Sequence, residues 1–146
     1  MARSTLRLLL AVALASGGAV AVAAPAKASC VDGDGTDCLY YSANGTGARV
    51  AVSGNIPCYD WCTVNYVFND ATRGSAGLNQ AVRNNTHYVY NNSYCTLAIY
   101  VSPNYGGAAD YFDFNGGLGG DGEPAYWYGN LNHTLNNDAS QAEDCG

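Results

Sequence analysis

Two segments of this 146-residue chain repeat one pattern at a constant offset of 60 residues. The first runs from Cys38 to Ala48 and the second from Ala98 to Ala108, and Tyr, Ser, Asn, Gly and Ala recur in register. In both copies a tyrosine is followed by six residues and then a glycine, in Tyr40–Gly47 and in Tyr100–Gly107. Such a repeat predicts a fold built twice from one supersecondary unit.

A second pair of similar segments follows each copy, Val82–His87 in the first and Thr134–Ser140 in the second. The distance from Tyr40 to Asn84 of this segment is 44 residues in the first copy, whereas the distance from Tyr100 to Asn136 in the second copy is only 36. The first copy therefore carries about eight extra residues, and Pro57–Cys62 lies within that interval.

Short stretches with β-branched or aromatic residues at alternate positions predict strands, and no segment of useful length has a helical period. Glycine- and asparagine-rich turns separate these stretches, and both residue types tolerate positive φ. The sequence therefore predicts an all-β sandwich or barrel. We expect the core to include Leu39, Val50, Val52, Val64, Tyr66, Phe68, Leu97, Ile99, Val101, Phe112 and Phe114.

The N-terminus has the pattern of a secretory signal peptide. Arg3 and Arg7 precede an apolar run that ends at Ala24, and Ala26–Ala28 supplies small residues for cleavage. We predict a signal peptide over residues 1–28, a single domain over residues 29–146, and a secreted, extracellular protein. A membrane anchor is the alternative, but the run is short for a span of about 20 residues.

The predicted mature chain keeps three arginines and no lysine against 12 acidic residues, a formal net charge of −9. A surface with this charge repels phosphate backbones and anionic lipid, so we expect no nucleic-acid partner and no membrane partner.

All six cysteines lie in the predicted mature chain, and an even number in a small exported chain indicates three disulfides. Six cysteines allow 15 pairings. A zinc site is the competing interpretation, but there is only one closely spaced cysteine pair, Cys58 and Cys62, and His87 and His133 stand alone. We expect the pairs Cys30–Cys38, Cys58–Cys62 and Cys95–Cys145.

The aromatic-x6-Gly hairpin followed by Asn-Asn, present twice, resembles the βγ-crystallin Greek-key motif. With export, cysteine bridges and the start Cys38-Leu39-Tyr40-Tyr41, the chain resembles the streptomycete metalloproteinase inhibitor family. This resemblance implies a βγ-crystallin-like sandwich of two Greek keys, about 30–92 and 93–146. It also implies a monomeric peptidase inhibitor whose partner is an extracellular protease.

No catalytic constellation is recognisable in the sequence. There is no H-E-x-x-H, no G-x-S-x-G and no histidine beside a plausible nucleophile. Asp110 and Asp113 could form an acid pair, but carboxylates in solvated turns explain them better. We expect no enzymatic activity.

The segment closed by Cys58 and Cys62 is the strongest candidate for an inhibitory loop. A short disulfide ring would expose aromatic residues and hold a substrate-like segment rigid. Thermolysin-type enzymes favour a bulky apolar residue after the scissile bond, which Trp61 or Val64 could supply. The candidate residues are Tyr59, Asp60, Trp61, Thr63 and Val64.

Two other locations for the reactive bond stay open. In the resembled family the bond lies in or beside a cysteine-bridged loop later in the chain. If the reactive bond lies elsewhere, the Cys58–Cys62 ring could be a structural staple with Trp61 in the core. For a trypsin-type target, Arg73 would be the main candidate.

Calcium is an alternative ligand, because the Asn-Asn-x-x-Ser pattern supplies calcium-binding oxygens in βγ-crystallins. Asn136, Asn137 and Ser140 keep this pattern, whereas the copy at Asn84 lacks the hydroxyl positions. Without calcium, Ser140 would tie the hairpin in place. A carbohydrate-binding or toxin-like β module is a further alternative, since 12 tyrosines could stack on sugars.

Overall fold

Each copy of the sequence repeat folds into a β-hairpin. In the computed structural model, β1 (Asp37–Ser42) pairs antiparallel with β2 (Thr46–Val52), and β4 (Thr96–Ser102) pairs antiparallel with β5 (Gly106–Phe112). The register shifts at the same position in both hairpins, after Tyr40 and after Tyr100. The sequence repeat thus corresponds to a structural repeat.

Positive φ at matching positions closes the two hairpins. Asn44 and Asn104 have φ of 59° and 56°, and Gly47 and Gly107 have φ of 76° and 81°. A Cβ at Gly107 would lie 2.5 Å from Val101 Cγ2, so a larger residue would be both strained and too close there.

The structure describes residues 30, 35–62, 64–113 and 128–146. The predicted signal peptide over residues 1–28, together with Thr63 and Phe114, lies outside these residues. Among the residues described, no helix is long and apolar enough to cross a membrane.

Three further strands complete two antiparallel sheets: β3 (Tyr88–Tyr90), β6 (Tyr128–Asn130) and β7 (Ser140–Asp144). One sheet has the order β2-β1-β3-β6 and the other the order β5-β4-β7. The two halves exchange elements, because β6 joins the sheet of the first half while Ile56 bridges Gln141 of β7. The predicted two-sheet, all-β architecture is confirmed; the motif boundary between residues 92 and 93 stays a prediction.

The core lies between the sheets. Most of its predicted members are buried: Leu39, Val50, Val52, Phe68, Leu97, Ile99 and Phe112. Tyr66 is partly buried and packs against this cluster, and Val101 is only half-buried. The prediction is wrong for Val64, which is 43% exposed.

The strand predicted around Val64, Tyr66 and Phe68 is also absent. Phe68 bonds through its backbone to Asn79 and Gln80, and Val67 forms one isolated bridge to Ala81. The segment that pairs with Val67 and Phe68 is an irregular loop, so the alternating pattern does not form the regular hydrogen bonds of a β-sheet. Val64 therefore lies outside the hydrophobic core.

Buried acidic groups lie at the contact between the two halves. The Asp138 carboxylate accepts hydrogen bonds from the Thr86 backbone N–H at 3.1 Å and the Thr86 hydroxyl at 2.9 Å. Burial nevertheless raises the pKa of Asp138 to about 7. Burial and the neighbouring Glu143 carboxylate raise the pKa of Asp37 to about 8.

We therefore expect the free energy of unfolding to fall as the pH rises from about 4 to 8. In this window the folded protein keeps protons on Asp37 and Asp138, whereas the unfolded chain releases them near pH 4. The stabilisation that these two protonated carboxyl groups give the folded state is therefore lost as the pH rises through their folded pKa values. Each proton changes the free energy of unfolding by up to about 1.4 kcal/mol per pH unit. Urea unfolding at several pH values measures this slope, and Asp37→Asn should flatten it; an equal slope in the variant would contradict the assignment.

The three predicted disulfides are formed, namely Cys30–Cys38, Cys58–Cys62 and Cys95–Cys145. The first two close short loops, whereas the third spans 50 residues and ties β4 to the end of β7.

The Cys95–Cys145 bridge should contribute most to stability. In the chain-entropy model a loop of this length is worth about 4 kcal/mol, against about 2 kcal/mol for the Cys58–Cys62 ring. Chemical unfolding of the two double-alanine variants compares them directly. A larger loss on removing Cys58–Cys62 would show that the ring stabilises the fold by more than loop closure.

Candidate functional site

The inner half of the Cys58–Cys62 ring is anchored in the core. Tyr59 is fully buried, its hydroxyl donates to Gln141 Oε1 at 3.1 Å, and its backbone N–H donates to Ala139 at 3.0 Å. Its carbonyl accepts the Tyr66 N–H at 2.9 Å. The expectation that Tyr59 is exposed is therefore wrong, because its ring occupies space between the sheets. Burial also raises the pKa of Tyr59 well above its usual value.

The outer half of the ring faces solvent. Trp61 is 69% exposed, so the alternative in which it turns into the core is wrong. The Asp60 carboxylate accepts the Trp61 backbone N–H at 2.8 Å. Among the described residues, no backbone–backbone hydrogen bond engages the carbonyls of Asp60, Trp61 or Cys62. The ring therefore presents an exposed apolar side chain on a fixed base.

Arg83 contacts the ring from a segment outside it. Its Nη1 lies 3.1 Å and 3.0 Å from the two carboxylate oxygens of Asp60, and its Cζ lies 5.5 Å from the centroid of the Trp61 ring. Sequence spacing gives no signal for this contact, because Arg83 is 23 residues from Asp60 and belongs to the Asn-Asn segment.

The remaining predicted loop residues lie just after the ring. Val64 is exposed and available to a partner, and Thr63 lies outside the described residues. Tyr94, beside Cys95 of another bridge, is 73% exposed, the largest exposure of any large hydrophobic side chain in the described part of the chain.

The predicted calcium ligands are occupied by protein contacts. Asn136 Oδ1 lies 2.8 Å from His87 Nε2. The Ser140 hydroxyl donates to the Ser102 carbonyl at 2.7 Å and accepts the Tyr105 backbone N–H at 3.2 Å. Asn137 is exposed and donates its backbone N–H to Thr134. These residues do not fit a calcium site, because two of their three side-chain oxygens already hold the hairpin and the loop in place.

Asp110 lies in β5 and is buried, so the interpretation of it as a carboxylate in a solvated turn is wrong. Its carboxylate accepts the backbone N–H groups of Asn132, His133 and Thr134 at 2.9–3.1 Å, and the Thr134 hydroxyl at 2.7 Å. Burial opposes ionisation, but these donors outweigh it and lower the pKa of Asp110. The Asp110 carboxylate therefore holds residues 132–134 against β5.

Several tyrosines, which could have stacked on sugars, pack against each other. Tyr40 and Tyr88 have ring centroids 5.5 Å apart in an edge-on arrangement, and Tyr90 and Tyr128 stack at 6.2 Å. These contacts fit the packing of neighbouring strands.

Comparisons with known proteins agree with this fold. One solved structure, described as "Evolution of the eye lens beta-gamma-crystallin domain fold", matches with a TM-score of 0.50 and 13% sequence identity, over 80% of this chain and 91% of that chain. At this identity the match shows the fold alone, and it defines a βγ-crystallin-like domain. Comparison with curated proteins found no match.

The family model described as "Peptidase inhibitor family I36" matches residues 23–112, which is more than half of the chain. The chain therefore belongs to this family, and the resemblance to the streptomycete metalloproteinase inhibitors is confirmed.

Calcium should not stabilise this protein. Binding would have to displace the Asn136–His87 contact and the Ser140 hydrogen bonds, so we expect equal thermal midpoints in millimolar calcium and in chelator. Differential scanning calorimetry checks this, and Ser140→Ala should lower the midpoint equally in both conditions. A calcium-dependent rise would contradict the assignment of Ser140 to the hairpin.

Proposed function

We propose that this protein is a secreted, monomeric inhibitor of extracellular zinc metallopeptidases of the thermolysin type, acting through the outer half of the Cys58–Cys62 ring. The observation that carries the proposal is the exposed Trp61 on a ring whose inner half, at Tyr59, is fixed in the core. An exposed tryptophan on an anchored ring supplies the kind of aromatic anchor that protein interfaces use. Three disulfides in a small inhibitor fit an oxidising, extracellular compartment, and residues 1–28 would direct the chain there.

Substrate-like binding needs a segment that enters the peptidase cleft without reorganising. Thermolysin-type enzymes favour a bulky apolar residue after the scissile bond, so Trp61 fits that pocket and the Asp60–Trp61 peptide bond would lie at the zinc ion. The nearby carbonyls make no backbone–backbone hydrogen bond among the described residues and can accept bonds from the enzyme. The disulfide and the Tyr59 anchor reduce the ordering cost of binding.

The geometry around Arg73 favours a metallopeptidase over a trypsin-type target. The Arg73 carbonyl accepts the Gly47 N–H at 3.1 Å, within a turn that continues into Gly74 at a φ of 132°. A carbonyl engaged in this way cannot enter an oxyanion hole, and a turn cannot lie extended in a serine peptidase cleft.

We expect the purified, exported protein to inhibit thermolysin-type enzymes at one-to-one stoichiometry, with weaker effects on subtilisin- and trypsin-type enzymes. Trp61→Ala should weaken inhibition by at least about 2 kcal/mol, roughly 30-fold in the inhibition constant, because a central aromatic anchor is lost. Titration of enzyme activity measures both. Tyr94→Ala is the matched control, since it removes an equally exposed aromatic residue beside a different disulfide.

Each contrary outcome has a distinct meaning. Loss of inhibition in Tyr94→Ala but not in Trp61→Ala would move the reactive segment to the Cys95 loop, where the family resemblance also points. No inhibition of any of the enzymes would reject the proposed target class.

A further inference from the structure

Arg83 contacts residues on both sides of the candidate scissile bond. Its guanidinium pairs with both carboxylate oxygens of Asp60, which precedes the bond, and lies over the indole of Trp61, which follows it. The Cys58–Cys62 disulfide links the same two sides covalently, but through a ring that leaves the ends free to separate after cleavage. Arg83 is thus a second, noncovalent link across the bond.

The backbone that carries Arg83 is itself held by the fold. Val82 is fully buried and donates its N–H to the Tyr66 carbonyl at 2.9 Å. The Arg83 carbonyl accepts the side-chain amide of Asn85 at 3.0 Å, and the Asn84 N–H donates to Asp138 at 2.9 Å. Arg83 therefore acts on the ring from a fixed position rather than moving with it.

The placement of Arg83 also has a cost to the folded state. Its Nε is buried and has no hydrogen-bond partner among the described residues, and a buried N–H group without a partner is unfavourable. The Asp60 pair is partly exposed, with side-chain exposures of 27% for Arg83 and 33% for Asp60, so it contributes little stability in return. Stability alone thus gives a weak reason for this guanidinium to lie against the ring.

We propose that Arg83 is a positioning residue that keeps the protein an inhibitor rather than a substrate; this inference rests on the function proposed above. Hydrolysis adds one water across the Asp60–Trp61 bond and leaves an α-carboxylate on Asp60 and an α-ammonium group on Trp61. With Asp60 and Trp61 both held by Arg83, the two new ends stay opposed, and the bond re-forms with release of the same water. Preorganised ends shift this equilibrium toward the intact chain and slow escape from the enzyme.

The test incubates the full exported protein with a thermolysin-type enzyme and measures the ratio of cleaved to intact chain by mass spectrometry, together with the duration of inhibition. In Arg83→Met, which keeps the alkyl stem, we expect the ratio at Asp60–Trp61 to rise about tenfold and inhibition to become temporary. Arg83→Lys keeps the charge but not the planar fork, and should give an intermediate ratio. Arg73→Met is the matched control, because it removes the same charge from an exposed loop and should leave the ratio unchanged.

A merely structural role for Arg83 would lower the thermal midpoint without changing the cleavage ratio at this one bond. A wild-type ratio and lasting inhibition in Arg83→Met would overturn the inference while leaving the proposed function intact. Cleavage at another bond would also overturn it.

If the wild-type protein inhibits no metallopeptidase, the proposed function fails, and the role of Arg83 fails with it. If Arg83→Met does not fold, Arg83→Lys with an unchanged ratio would count against the inference.

Discussion

The buried side chain of Gln141 joins the candidate inhibitory ring to both halves of the fold. Its backbone pairs with Ile56 in both directions at 2.9 and 3.0 Å, its Oε1 accepts the Tyr59 hydroxyl, and its Nε2 donates to the Gly54 carbonyl at 3.1 Å. Because a buried amide that loses its partners costs free energy, these contacts form together and fix one position for the ring. The candidate inhibitory ring is therefore held in place by its attachment to β7, in addition to the Cys58–Cys62 disulfide that closes it.

The segment of residues 70–76 in the first half is irregular, but its backbone is bonded to a strand. Instead of forming strands, it follows the edge of β2, where Ala48 and Arg49 donate their N–H groups to Ala76 and Asp70 at 2.8 Å. Burial opposes ionisation of Asp70, but the hydrogen bonds from Thr72 and the ion pair with Arg49 together outweigh it and lower the pKa of Asp70 to about 2. An irregular segment with its backbone bonded in this way can present a fixed surface, which a flexible loop cannot do.

Positions that hold calcium in related crystallin motifs serve as protein contacts here. Ser140 closes the second hairpin through Ser102 and Tyr105, and Asn136 contacts His87 of the first half. Gln141, which directly follows Ser140, supplies the amide that anchors Tyr59. Direct hydrogen bonds from these residues thus join the two halves and hold the ring.

The sequence by itself determined the two hairpins, the all-β class and the presence of disulfides, because these follow from local alternation, positive φ at Asn and Gly, and an even number of cysteines in a small chain. It also identified the extra Cys58–Cys62 segment as the difference between the copies. It could not place Tyr59 in the core, leave Val64 outside it, or bring Arg83 to Trp61. Only the tertiary structure decided these, because they depend on contacts between segments 23 and 82 residues apart, for which local patterns carry no information.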